Sequence, residues 1–136
     1  MEVTVEHLGM VQFQIKVRSH SIISDQPVEQ GGFDEGVTPP ELLLASLGSC
    51  AGYYVAQYLR KHNLGLEGTR VRVTCDKAKD PVRMDNFDIE VDVPVELSAG
   101  HRKGVLDAVE HCLVKNTLLH APKISLHVEN PVASKK

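Results

Sequence analysis

Three cysteines, Cys50, Cys75 and Cys112, carry the chemistry most readily available to this chain. A thiolate can be a nucleophile, a metal ligand or half of a redox couple. The spacing argues against the second use. There is no C-x-x-C, and the seven histidines (His7, His20, His62, His101, His111, His120 and His127) are scattered, so no metal site is expected. The three sulfurs are not equivalent. Cys75 alternates with Val71 and Val73, the pattern of a small buried hydrophobe. Cys50 stands among Gly48, Ser49, Ala51 and Gly52. Such small neighbours leave room for a molecule to reach the sulfur, or for a close helix crossing. Cys112 follows His111 and precedes Lys115, and a nearby cation favours thiolate. Gly48 to Gly52 also fits G-x-C-x-G, a cysteine form of the nucleophile elbow. That motif needs a strand, a sharp turn and then a helix.

The elements around Cys50 do not offer that context. Residues 38–60 are the longest apolar run and read as one helix that begins well before the cysteine. Thr38 is the cap, Pro39 suits the first helical position, and Glu41 falls where a capping-box carboxylate belongs. Apolar residues cover most of the circumference, which predicts a helix enclosed by other elements or by another subunit. It closes near His62 and Asn63, with Gly65 and Gly68 beyond. Upstream, residues 2–7 and 11–17 alternate with period two and predict strands joined tightly at 8–10. Residues 21–25 predict a third strand, and 26–37 a Gly-rich loop feeding the helix. Downstream, residues 69–78 and 87–96 predict strands on either side of a turn at 79–81. Phe87, Ile89, Val91, Val93 and Val95 face inward, and Pro94 marks an edge or an end. Ser98 caps a helix over 99–111, residues 113–119 continue as a helix after a bend, and 123–129 predict a last strand. The tail 133–136 is expected to fray. The order predicts one α+β domain over 1–136, with antiparallel sheets packed on helices.

Composition narrows the function. A net charge of -3 and 4% aromatic residues give neither the basic footprint nor the stacking surface of a nucleic-acid binder. The polar and glycine positions inside 38–60 argue against a membrane span. The N-terminus lacks the basic and apolar regions of a signal peptide, so a cytoplasmic protein is expected. Three cysteines in a reducing compartment are not a disulfide scaffold.

Two segments and their separation resemble the OsmC/Ohr family, in its OsmC-like branch. TPPELLLASLGSC at 38–50 is similar to the pattern T-P-x-E-L-L-L-A-x-L-x-x-C, and CLVKNTL at 112–118 to C-P-V-x-x-T-L. The two cysteines lie 112 − 50 = 62 residues apart, close to the family's usual interval. The resemblance implies an OsmC-like fold and an intertwined homodimer with the long helices at its centre and the sites at the subunit interface. It implies that Cys50 is peroxidatic: it attacks an organic hydroperoxide, becomes a sulfenic acid and condenses with Cys112 to a disulfide. No cofactor is implied. A thiol reductant, in some members a lipoylated protein, restores the pair by exchange.

The chain departs from the family's peroxidases in three places. Their arginine is paired with a glutamate ten residues before the cysteine, a position held here by Pro40. Glu41 follows it, but nine residues of ideal helix turn about 900°, which puts Glu41 and Cys50 on opposite faces. Glu41 is therefore read first as a cap and only second as a substrate contact. Arg18 is the nearest upstream arginine, since none occurs between it and Arg60. Leu113 stands where proline usually follows the second cysteine. Two other readings remain open at this point: a non-catalytic dimer binding a small ligand, and a cysteine hydrolase with a histidine beside Cys50.

Overall fold

The computed structural model describes residues 1–131, so the expectation for 133–136 lies outside the described residues. Strands β1 (Thr4–Gly9), β2 (Gln12–Val17) and β3 (His20–Ser24) form an antiparallel sheet in that order. Helix α1 (Pro39–Lys61) follows the loop, then the antiparallel hairpin of β4 (Arg70–Ala78) and β5 (Arg83–Asp92), and finally α2 (Ala99–Val109) and α3 (Leu113–Leu119). This is the expected α+β class with antiparallel sheets, and the order matches through α3.

The start of α1 is fixed by a complete capping box. The Thr38 side chain accepts from the Glu41 N–H, and the Thr38 N–H donates back to the Glu41 carboxylate at 3.0 Å. At the other end Asn63 takes the left-handed conformation (φ 55°) just past the cap residue His62. One stripe of the helix, Leu47, Ala51, Val55 and Leu59, is fully buried. These positions recur every four residues and face α2, α3 and the hairpin. The opposite stripe, Glu41, Ala45, Ser49, Tyr53 and Gln57, is exposed, so within one chain the helix is enclosed on one side only. Val55 and Leu59 centre the core together with Val105 of α2. Tyr58 reaches across to His101 of α2 (hydroxyl to Nδ1, 2.9 Å) over Gly104, which has no side chain to obstruct it.

The loop before α1 is built on Asp25, a buried carboxylate that sequence reasoning left as a strand end. It accepts from the backbone N–H of Gln26 (2.8 Å), Phe33 (3.1 Å) and Glu35 (3.1 Å) and from the Gln12 amide (3.1 Å). Burial pushes this carboxyl up, but the N–H groups of Gln26 and Glu35, the Gln12 amide and the Phe33 N–H hold it below the usual carboxylate range. Gly32 sits against Asp25 Oδ1 and the Gln26 carbonyl where no Cβ would fit.

Three expectations are corrected. Residues 123–129 are not a strand: they run without secondary structure and are exposed, with Ile124, Leu126 and Val128 at 88%, 88% and 91%. The alternation is present, but alternation fixes which side chains would share a face, whereas a strand needs a neighbouring backbone. The second strand of the hairpin is Arg83–Asp92 rather than 87–96. Its ladder starts beside the turn, at Ala78↔Arg83, and ends before Pro94, which has no N–H to donate. The inward alternation nevertheless continues in burial through Val95. Cys75 is half-buried rather than buried, at an irregularity between Thr74 and Asp76.

Candidate functional site

Packing of α3 on α1 brings Cys50 and Cys112 together. Cys50 is half-buried, midway along α1; Cys112 is fully buried and is the N-cap of α3. The Cys112 sulfur accepts from the Lys115 backbone N–H at 3.4 Å. Burial pushes the Cys50 thiol up. The N–H of Val114, the Cys112 thiol and the N–H of Leu113 act the other way and leave its pKa lowered. For Cys112 the balance is reversed: burial and the Cys50 sulfur push it up against the N–H groups of Lys115 and Val114. One sulfur is thus disposed to ionise while its neighbour keeps a proton to donate. The donors come from the backbone of the first turn of α3. They have no side-chain signature, which is why the sequence did not point to them. The only available signal was the placement of Cys112 at a break between two helical stretches.

The two accessory candidates lie elsewhere. The Glu41 carboxylate is engaged in the capping box, and the Thr38 hydroxyl, also donating to it at 2.7 Å, is the main cause of its lowered pKa. Arg18 is exposed in the β2–β3 turn with φ 52° and is not among the groups that act on Cys50. No histidine is among them either, and His111 turns its Nδ1 to the Asp107 carbonyl at 3.1 Å. A cleft of about 590 Å³ is bounded by Tyr54, one turn after Cys50, by Leu113, next to Cys112, and by His111, Thr117, His120 and Pro122, with neither cysteine in its lining. An apolar groove of about 440 Å³ between β5 and α2 is lined by no cysteine. Among the described residues no group of three or more His, Cys, Asp or Glu could hold a metal, and no helix is long and apolar enough to cross a membrane.

An α+β chain with antiparallel sheets, in which one long helix carries the first cysteine and a short helix is capped by the second, is matched by a known family. The OsmC-like protein family model matches residues 32–127, more than half of the chain, and the chain belongs to that family. Solved structures agree on the fold. A protein of Psychrobacter arcticus 273-4, named for an osmotic stress and detoxification response, aligns with a TM-score of 0.77 at 26% identity over 85% of each chain. An OsmC-like protein of Mycoplasma pneumoniae aligns at 0.75, with 17% identity over 88% of this chain and 87% of its own. An organic hydroperoxide resistance protein of Legionella pneumophila aligns at 0.60, with 15% identity over 88% of this chain and 90% of its own. No curated protein matches the sequence.

Proposed function

We propose that the protein reduces organic hydroperoxides in oxidative stress defence, as a cytoplasmic homodimer of one OsmC-like domain per chain, with Cys50 peroxidatic and Cys112 resolving. The Cys50 thiolate attacks the terminal peroxide oxygen. The O–O bond breaks, the alcohol leaves with a proton, and Cys50 becomes a sulfenic acid. The Cys112 thiol then attacks that sulfur, water leaves, and a disulfide forms. A dithiol reductant returns two electrons and two protons. The observation that carries this reading is the meeting of the two thiols with opposite pKa shifts. The name of the Legionella relative points the same way. In this mechanism the backbone N–H groups of Leu113 and Val114 do the work the family's peroxidases give to arginine. The dimer is supported by apolar surface that one chain leaves uncovered, on α1, on β1–β3 and along 124–128.

The test is consumption of tert-butyl hydroperoxide with dithiothreitol as reductant. Wild type turns over and Cys50→Ser does not; equal rates for the two would sink the reading. A second reading, a non-catalytic dimer that binds a small ligand, is favoured by one observation: no arginine acts on Cys50. Native mass spectrometry showing a retained ligand, with thiols that do not react, would select it. A cysteine hydrolase draws no such support, because no histidine is among the groups that act on Cys50.

A further inference from the structure

Within one chain, helix α3 is short and lightly anchored. It has seven residues, none of them buried, and Leu113 and Leu119 are more than 60% exposed. Among the described residues, the element it packs closely against is α1. A helix this short depends on how the free N–H groups of its first turn are satisfied. Here sulfur satisfies one of them: Cys112 is the N-cap, and its Sγ accepts from Lys115 N–H at 3.4 Å. The Leu113 and Val114 N–H groups of the same turn are among those that lower the Cys50 thiol. Other ties of this turn do not involve sulfur: the Lys115 ammonium to the Glu110 carboxylate (3.0 Å), the Asn116 amide to the Glu110 carbonyl (3.3 Å), the Asn116 N–H to the Cys112 carbonyl (3.0 Å) and the Thr117 hydroxyl to the Leu113 carbonyl (2.8 Å).

We infer that the redox state of the Cys50–Cys112 pair controls the order of α3: the reduced pair caps the helix, and the disulfide uncaps it and opens the site to the reductant. Disulfide formation draws the sulfurs to about 2.05 Å and fixes their torsion. Cys112 Sγ must therefore turn from Lys115 N–H toward Cys50. The same step leaves Cys50 with a disulfide sulfur that cannot ionise, a weaker hydrogen-bond partner for the N–H groups of Leu113 and Val114 than a thiolate. The consequence matters because Cys112 is fully buried and Cys50 half-buried in the reduced form. A reductant thiolate must reach one of these sulfurs for exchange, and a frayed α3 uncovers the side from which it can approach. The inference rests on the reading of Cys50 and Cys112 as a redox pair, but not on turnover of any peroxide.

The experiment is amide hydrogen exchange read by mass spectrometry on the whole protein. It compares protein reduced with dithiothreitol and protein oxidised with diamide, which takes two electrons and two protons from the two thiols. The intramolecular disulfide is verified by the loss of two hydrogens in mass. The expected result is exchange across 113–119 about tenfold faster in the disulfide form, the scale of a lost helix cap, with 42–59 unchanged. Cys112→Ser keeps an oxygen acceptor at the cap and cannot form the disulfide, so its exchange does not respond to diamide. Lys115→Pro removes the capped N–H together with the Glu110 tie, so its 113–119 exchange is already raised when reduced and changes less on oxidation, whereas Lys115→Ala removes the Glu110 tie alone and keeps the full response to oxidation. A verified disulfide with unchanged or slower exchange over 113–119 overturns the inference and leaves the peroxidase reading standing. Failure of the disulfide to form overturns it together with the resolving role of Cys112. Loss of peroxide turnover alone touches neither.

Discussion

Leu113 occupies the position where the family pattern has proline, and the exchange changes what Cys50 meets. Proline has no N–H; leucine supplies one, and it is among the groups that lower the Cys50 thiol. Leu113 is also the first residue of α3, a position where proline fits the helix without strain. Leu113→Pro therefore keeps the fold, raises the Cys50 pKa and slows its alkylation by iodoacetamide at neutral pH by a few-fold at most, since Leu113 is the smallest of the contributors. In wild type, a lowered pKa means that the reactive thiolate persists to lower pH and is lost as pH falls through the folded value. Cys50 alkylation thus stays fast at a pH where Cys112, with its raised pKa, is still protonated. The check is a pH series of alkylation rates, resolved by peptide mass spectrometry. Equal midpoints for the two cysteines would contradict the assignment.

At the scale of elements, close approaches and buried carboxylates set the order. Ala at 104 would put its Cβ into the Tyr58 ring, so Gly104→Ala displaces Tyr58 from His101 and costs about 1–3 kcal/mol, measured by chemical denaturation. The Asp25 carboxylate has a folded pKa below its ordinary value, so its contribution is present above the unfolded value and is lost as pH falls through the folded one. Asp25→Asn lowers the melting temperature at pH 7 and flattens its decline toward pH 3. Much of this level was legible beforehand. Thr38, Pro39 and Glu41 announced the start of α1 because a cap is local chemistry, and the strand faces of the hairpin followed from strict alternation. Asp25 was not legible, because its partners are backbone N–H groups gathered by a loop whose path no local pattern states. The pairing of Cys50 with Cys112 came through the resemblance, since a separation of 62 positions carries no local rule for bringing two sulfurs together. The strand expected at 123–129 failed for the complementary reason: its side-chain pattern is local and its pairing is not.

At the scale of the whole molecule, the sheet β1–β2–β3 is amphipathic. Register places Val5, Ile15 and Ile22 side by side on one face, with Phe13 and Val17 flanking Ile15, while Lys16 and Glu6 pair at 2.9 Å on the other. Val5 remains 54% and Ile22 45% exposed, because the helices pack on the hairpin and not on this sheet. Such a face requires cover. In the proposed dimer a second copy provides it. Sedimentation equilibrium then reads a dimer for wild type, and Leu126→Asp together with Ile22→Asp shifts it toward monomer; a wild-type monomer at micromolar concentration would remove the dimer from the proposal. The uncovered sheet also bears on synthesis. Its strands end at Ser24, well before the helices and hairpin have been made, so in the proposed dimer a nascent chain presents wet apolar residues early and holds them until a companion chain is available. Abundance should then set the survival of new chains, with those made at low copy number cut first within residues 1–24.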